Sequence, residues 1–229
     1  MALPVIFKVT LQATIINVCS NLIAQGLTAF QVGLDINFNT VTINWVSVFQ
    51  FAVFAVLNTP PNFLWQTWLE EMFPSNHPLP TPTRKSKSPS NASATSPKSR
   101  LNVRHTVIKF LLDQTIGAAV NTLLFSLVMG ALKASMTPLT NEPPIVTGTS
   151  SIAFLLSNRA VDAARVDWPA LYATALVDFW PIIVAGWRLW PAVSAVNYTL
   201  VKSVEVRNLL GNLAGLGWGV YMSMLAAGY

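Results

Sequence analysis

The sequence predicts an all-α polytopic membrane protein: a bundle of about four transmembrane helices, with a basic loop after the second span and an amphipathic interfacial helix. Three observations predict it. Hydrophobic residues make up 52% of the 229 positions and charged residues 10%, far below the roughly 25% charge that covers a soluble domain. The mean hydropathy is +0.49. The apolar residues also fall in blocks of the roughly 20 residues that a spanning helix needs.

The first block covers residues 4–34, with Lys8 as its only charge, and reads as a retained span rather than a cleaved signal. The second runs over 43–73 through Phe49, Phe51, Phe54 and Leu57, so that residues 1–73 form a helix pair. Cys19 sits inside the first block and reads as a packing residue; a single cysteine excludes an internal disulfide and a thiolate metal cluster. Residues 74–104 form the clearest boundary. They are rich in proline and serine, and carry Arg84, Lys85, Lys87, Lys98, Arg100 and Arg104 with no acid. Such a segment buries too little to offset its ordering entropy, and disorder is expected. The same bases favour the cytosolic side, which an even span count extends to both termini.

Residues 105–229 hold the rest: a third span over 107–132, an amphipathic stretch over 151–178, and a last span over 187–225. Arg159, Asp162, Arg165 and Asp167 give the amphipathic stretch its charged face, and residues 168–184 are a further candidate for partial insertion. Trp180-Pro181 and Trp190-Pro191 read as an interfacial elbow, tryptophan favouring the headgroup level and proline breaking the helix.

Polar groups inside apolar helices are costly, so their placement is informative. In the first span Thr10, Thr14, Asn17, Asn21, Gln25 and Thr28 recur at steps of three or four. Lys109, Asp113, Gly117 and Asn121, flanked by Gln114, do so in the third. Glu205, Asn208, Asn212, Gly215 and Gly219 repeat the pattern in the last, beside Arg207. Faces of this kind turn toward one another. They either hold the bundle together by hydrogen bonds across helices or line a path for small polar solutes; the length of the first stripe tilts the choice toward a path. Lys109 and Asp113 can pair within one helix, and Arg207 can meet Glu205 or Asp113. Gly211, Gly215 and Gly219 have the spacing that lets two backbones approach, within the chain or between copies in a homo-oligomer.

The C-terminal stretch also carries a signature. Trp187, Trp190, Pro191, Asn197, Trp218, Tyr221 and Ser223, with Arg207 between, stand in the order of a tryptophan–proline, asparagine–aromatic, arginine and tryptophan–tyrosine–serine pattern. Asn21 to Gln25, then Pro60, Trp65 and Leu69, then Asp113-Gln114 follow the corresponding helix motifs. In these residues the chain resembles the peroxisomal-membrane-protein/Mpv family of small four-helix proteins of peroxisomal and inner mitochondrial membranes. The basic insert resembles its fungal branch. Asn21 replaces a usual aspartate, Phe63 a usual histidine, and Ala118 a usual proline; Lys202 stands where a proline is common and Arg207 lies one residue late.

The resemblance implies a channel-like protein passing small metabolites, with no catalytic residues, metal or cofactor. The alternative it implies is a non-conducting organiser of the Woronin-body sorting kind, recruiting a protein partner through residues 74–104. A membrane terpene cyclase is the enzymatic alternative, for which Glu70, Glu71, Asp113 and Asp178 are the acids on offer; Glu70-Glu71 reads as a solvated helix end. The bases sit in one loop without interleaved aromatics, which argues against nucleic acid as a partner. The lipid bilayer is the expected partner. With no arginine-rich presequence, the peroxisomal membrane is favoured over the mitochondrial inner membrane.

Overall fold

The computed structural model describes residues 2–31, 43–78, 99–137 and 148–226. They form helices α1 (Ala2–Gln31), α2 (Trp45–Met72), α3 (Val103–Leu112), α4 (Ala118–Ser135), α5 (Thr149–Leu155), α6 (Trp168–Gly186), α7 (Trp190–Leu200) and α8 (Val204–Ala226). A π-helical turn, Asp113–Gly117, joins α3 to α4 into one continuous rod. The protein is an all-α polytopic membrane protein. Among the described residues, the helical stretches Pro4–Phe30, Val103–Ser135 and Trp168–Gly186 are long and apolar enough to cross a bilayer. At 1.5 Å per residue, the 28 residues of α2 and the 23 of α8 also reach across the roughly 30 Å hydrocarbon layer.

α1 packs against α2 and α8; α2 also touches α4, α5 and α8; and α4 lies along α6. α7 continues where α6 stops, since it packs on α3, the π-turn and α8. Together α6 and α7 therefore make one broken passage down the length of the α3–α4 rod, and α8 returns beside α1. The continuous last span expected over 187–225 is thus two helices, parted at Val201–Ser203. The start of α8, near Arg207, lies at the end of the bundle where α2 stops, whereas Gly219 faces Ser20 of α1 further along. α1 consequently begins and α8 ends at opposite ends of the array, where an even span count would put both on one side.

The amphipathic helix expected over 151–178 is also absent as a single element. Two of its acids are caps: the Asp162 carboxylate accepts from Ala164 N at the turn Ala163–Arg165, and Asp167 accepts from Ala170 N to start α6. Its first residues lie in the short α5, and residues 168–178 belong to the apolar α6. Trp180-Pro181 lies within α6, and the elbow falls at 187–189, where Trp190 stacks over Gly186 and reaches Gly215 in the body of α8. That elbow is inside the bundle's length and not at its margin. Trp187 remains exposed and meets Trp180 edge-on at 5.9 Å.

The segment 74–104, expected to be disordered, is ordered at both ends: Asn76–Pro78 pairs antiparallel with Ser99–Leu101. The Asn102 amide donates to Ser75 O at 2.8 Å, and the Asn102 side chain caps α3. These bonds satisfy backbone groups that a solvated loop would leave to water. Residues 79–98, with Arg84, Lys85, Lys87 and Lys98, lie outside the described residues.

Burial is inverted relative to a soluble protein. Phe7, Leu11, Ile15 and Ile23 of α1, Leu57 and Leu64 of α2, Phe125 of α4 and Leu176, Val177 and Trp180 of α6 are exposed. Lys109, Arg207, Asn208, Asn21, Gln50 and Ser194 are buried. An apolar exterior around a hydrogen-bonded interior is what lipid demands. Cys19 belongs to the exterior and is exposed, so it does not pack the interior as expected.

Candidate functional site

Two polar clusters occupy the interior. The first joins the far ends of α1 and α2. Asn21 Nδ2 donates to Ser47 Oγ at 3.1 Å, and Gln25 Nε2 donates to Asn21 Oδ1 at 2.7 Å and to Asn44 O at 3.2 Å. The Asn44 amide returns a bond to Gln25 Oε1 at 2.8 Å, while its own side chain caps α2. The remainder of the α1 stripe behaves differently. Thr14, Asn17 and Thr28 donate to carbonyls one turn back in their own helix.

The second cluster lies where α2 ends and α3 and α8 begin. The Glu70 carboxylate accepts from both the Lys109 ammonium and Arg207 Nη1. Lys109 is 0% and Arg207 1% exposed in its side chain, against 25% for Glu70. Lys109 also donates to Ser75 Oγ, and Ser75 N donates to Glu70 Oε1 at 3.1 Å. Arg207 spends its other donors on the open end of α7: Nε on Asn197 O and Val201 O, each at 3.1 Å, and Nη2 on Val201 O at 2.9 Å. The buried Tyr198 ring lies beneath both cations, 5.2 Å from Lys109 Nζ and 5.4 Å from Arg207 Cζ.

Tyr198 links this ionic group to a deeper amide network. Its hydroxyl donates to Gln66 Oε1 at 3.0 Å, and Gln66 Nε2 donates to Asp113 Oδ1 at 2.9 Å. Ser194 Oγ donates to Asp113 Oδ2 at 2.6 Å and accepts from Gln114 Nε2 at 2.8 Å. Asp113 and Gln114 are adjacent in sequence, and their helix is π-helical there; the widened turn lets both reach one serine. Gly117 makes room for it, since a Cβ there would stand 3.0 Å from Trp65 Nε1 and 3.2 Å from Asp113 Oδ1. Trp65 Nε1, Gln114 Oε1 and Asn197 Oδ1 are buried without a hydrogen-bond partner.

The interior thus holds most, not all, of the expected residues. Asn208 is buried, accepts from Asn62 Nδ2 at 3.4 Å and donates to Val204 O at 3.1 Å. Asn17, Asn121 and Asn212 are half-buried. Glu205 is exposed in the first turn of α8, where a carboxylate complements the helix dipole, and does not enter the interior. The acid that does is Glu70, read from sequence as a solvated helix end. The pairs change accordingly: Lys109 and Arg207 share Glu70, while Asp113 bonds Gln66 and Ser194. A signal for Glu70 was available, because an acid in the last turn of a helix opposes the dipole and needs a compensating cation.

Of Gly211, Gly215 and Gly219, Gly219 alone makes a close approach, 3.3 Å from its built Cβ to Ser20 Oγ; Gly215 is in ordinary contact with Trp190, and Gly211 meets nothing within 4 Å. A tighter crossing lies at Gly130, where a Cβ would fall 2.3 Å from Leu171 Cδ1 between α4 and α6. Of the signature residues, Pro60 lies half-buried within an unbroken α2, and Trp65 stacks on Trp68 at 5.3 Å. Pro191 opens α7, and Asn197 Nδ2 donates to Arg207 O at 3.3 Å. Tyr221 and Ser223 lie in α8, their side chains outside the described residues. Among the described residues no group of three or more His, Cys, Asp or Glu side chains could hold a metal ion.

An apolar-sided helical array around buried ion pairs and amides defines a multi-pass membrane protein. Residues 164–223, from the turn before α6 into α8, match the model of the Mpv17 / PMP22 family. The chain is 43% identical over 49 residues to "PXMP2/4 family protein 3" of Dictyostelium discoideum, covering 21% of this chain and 26% of that protein. It is 36% identical over 45 residues to "Protein SYM1" of Gibberella zeae, covering 20% and 25% respectively. The matched part therefore spans about a quarter of the length of these curated relatives. No solved structure matches.

Proposed function

We infer that this protein is a non-enzymatic, channel-like membrane protein for small polar solutes, in which the Glu70–Lys109–Arg207 cluster closes one end of the polar interior. The carrying observation is the convergence of Gln66, Asp113, Ser194, Tyr198, Asn208 and the two buried cations between α2, α3, α7 and α8, inside an apolar exterior. Bundle cohesion alone is served by side chains that bond across helices, as Asn21 and Gln25 do. It does not call for two buried cations sharing one carboxylate, a costly arrangement. Ionisable groups buried between membrane helices mark solute and ion routes. The peroxisomal membrane is the proposed location, and fluorescent tagging beside peroxisomal and mitochondrial markers checks it.

Reconstitution of the full chain in a planar bilayer tests the function. The expected result is a conductance altered by Asp113→Ala and by Glu70→Gln. A silent bilayer, or a conductance indifferent to both substitutions, removes the channel reading and leaves a packing network.

A further inference from the structure

We propose that Lys109 and Arg207 form a binding site for a small oxyanion, a carboxylate or a phosphate, in which the Glu70 carboxylate is an intramolecular occupant that the incoming anion displaces. The proposal rests on the channel reading for its physiological use, and names the solute class.

The two cations are positioned without Glu70. Arg207 is fixed by its bonds to the carbonyls of Asn197 and Val201, which leave Nη1 directed at the carboxylate. Lys109 is fixed by Ser75 Oγ and lies over the Tyr198 ring. If Glu70 withdraws, a preformed pair of positive donors remains, which is how proteins hold carboxylates and phosphates.

Glu70 is the least held member. Apart from the cations its bond is to the Ser75 amide, at 3.1 Å, and it is 25% exposed where its partners are at most 1%. It also stands in the last turn of α2, where the helix dipole opposes a negative charge. Two cations against one carboxylate leave a positive surplus, and the next acid, Asp113, is engaged by Gln66 and Ser194. A phosphate dianion would neutralise both cations.

The segment 74–104, whose ends pair at this end of the bundle, carries six bases and no acid. One of them, Arg104, is exposed in the first turn of α3.

The experiment follows thermal unfolding of the purified full chain in a non-ionic detergent. Sodium phosphate is titrated against sodium chloride at matched ionic strength, and in a parallel arm phosphatidic acid is added in mixed micelles. The wild type should show a saturable phosphate stabilisation that chloride does not give. Glu70→Gln should be less stable in chloride, regain stability with phosphate, and show a midpoint on the order of tenfold lower. The internal competitor is gone, and apparent affinity rises with the fraction of empty sites. Lys109→Gln should lose the response.

Saturation by free phosphate assigns the site to a soluble anion; saturation by phosphatidic acid alone assigns it to a lipid headgroup. An equal midpoint in wild type and Glu70→Gln, or no response to either phosphate source, overturns the site. A phosphate rescue beside a silent bilayer would retain the oxyanion site and remove the channel.

Discussion

Arg207→Lys should destabilise the protein by about 3 kcal/mol, although it keeps the charge. In the structure Arg207 makes three bonds to main-chain carbonyls and one to Glu70. A lysine ammonium in its place can follow the carboxylate, but it lacks the planar fork that meets Asn197 O and Val201 O together. Val201 is the C-cap of α7, so its carbonyl belongs to a helix end with no successor turn. A hydrogen bond to a charged donor contributes about 1.5–3 kcal/mol, and a buried acceptor left unpaired costs about 1–3 kcal/mol. The two carbonyls share the donors, so the losses do not add in full, and about 3 kcal/mol is the expected sum. Denaturation in mixed micelles with increasing SDS measures it, with Glu70→Gln and the double variant closing a cycle. The cycle should show coupling for Glu70 with Arg207, and Arg207→Lys should retain part of it. If Arg207→Lys lies within about 0.5 kcal/mol of wild type, the carbonyl clamp does not hold α7 to α8 and the reasoning fails.

The remaining perturbations separate sites that look alike in sequence. Gly117→Ala should cost about 1–2 kcal/mol, because its methyl would press on Trp65 and Asp113, whereas Gly211→Ala meets open space and should gain up to about 1 kcal/mol of helix propensity; both are read in the same SDS titration. Tyr198→Phe keeps the ring beneath the cations and removes the bond to Gln66, so a loss of about 1 kcal/mol is expected. Glu205→Gln, on the exposed start of α8, should change stability by less than about 0.5 kcal/mol; a loss comparable with that of Glu70→Gln would mean the roles of these two acids are reversed. Cys19 in proteoliposomes should react with a membrane-permeant maleimide and resist a charged one, as an exposed thiol on a lipid-facing helix does; labelling by both at equal rates would place that face in water.

What could be read from sequence was what composition and periodicity carry. Long apolar blocks with few charges fix the membrane class, and Asn21, Asp113, Arg207 and Asn208 stand out as polar groups that lipid would exclude. The breaks were harder. Residues 187–225 have the composition of one span, yet Val201–Ser203 adopt no helix; there the Arg207 guanidinium takes the carbonyls of α7 in place of a continuing helix. The charged stretch 159–167 looked like a helix face because i,i+3 spacing cannot distinguish a face from successive caps. Glu70 and Glu205 show the same ambiguity in reverse. Each is an acid at a helix end, and only the partners brought there by the fold decide which one is buried.

The break between α7 and α8 and the identity of the buried acid are one physical problem. An unbroken helix across 190–226 would carry Tyr198 and Arg207 along a single axis, and its internal hydrogen bonds would consume the carbonyls of Asn197 and Val201. The break releases those carbonyls at the foot of α7, which Arg207 then satisfies from the first turn of α8. The same turn sets the guanidinium beside the Tyr198 ring and opposite the end of α2. A cation held so firmly by neutral oxygens still carries its full charge, and the nearest acid able to answer it is Glu70, which Lys109 also recruits. The interior is therefore closed at this end by a carboxylate that two fixed cations hold, at a position its own helix disfavours.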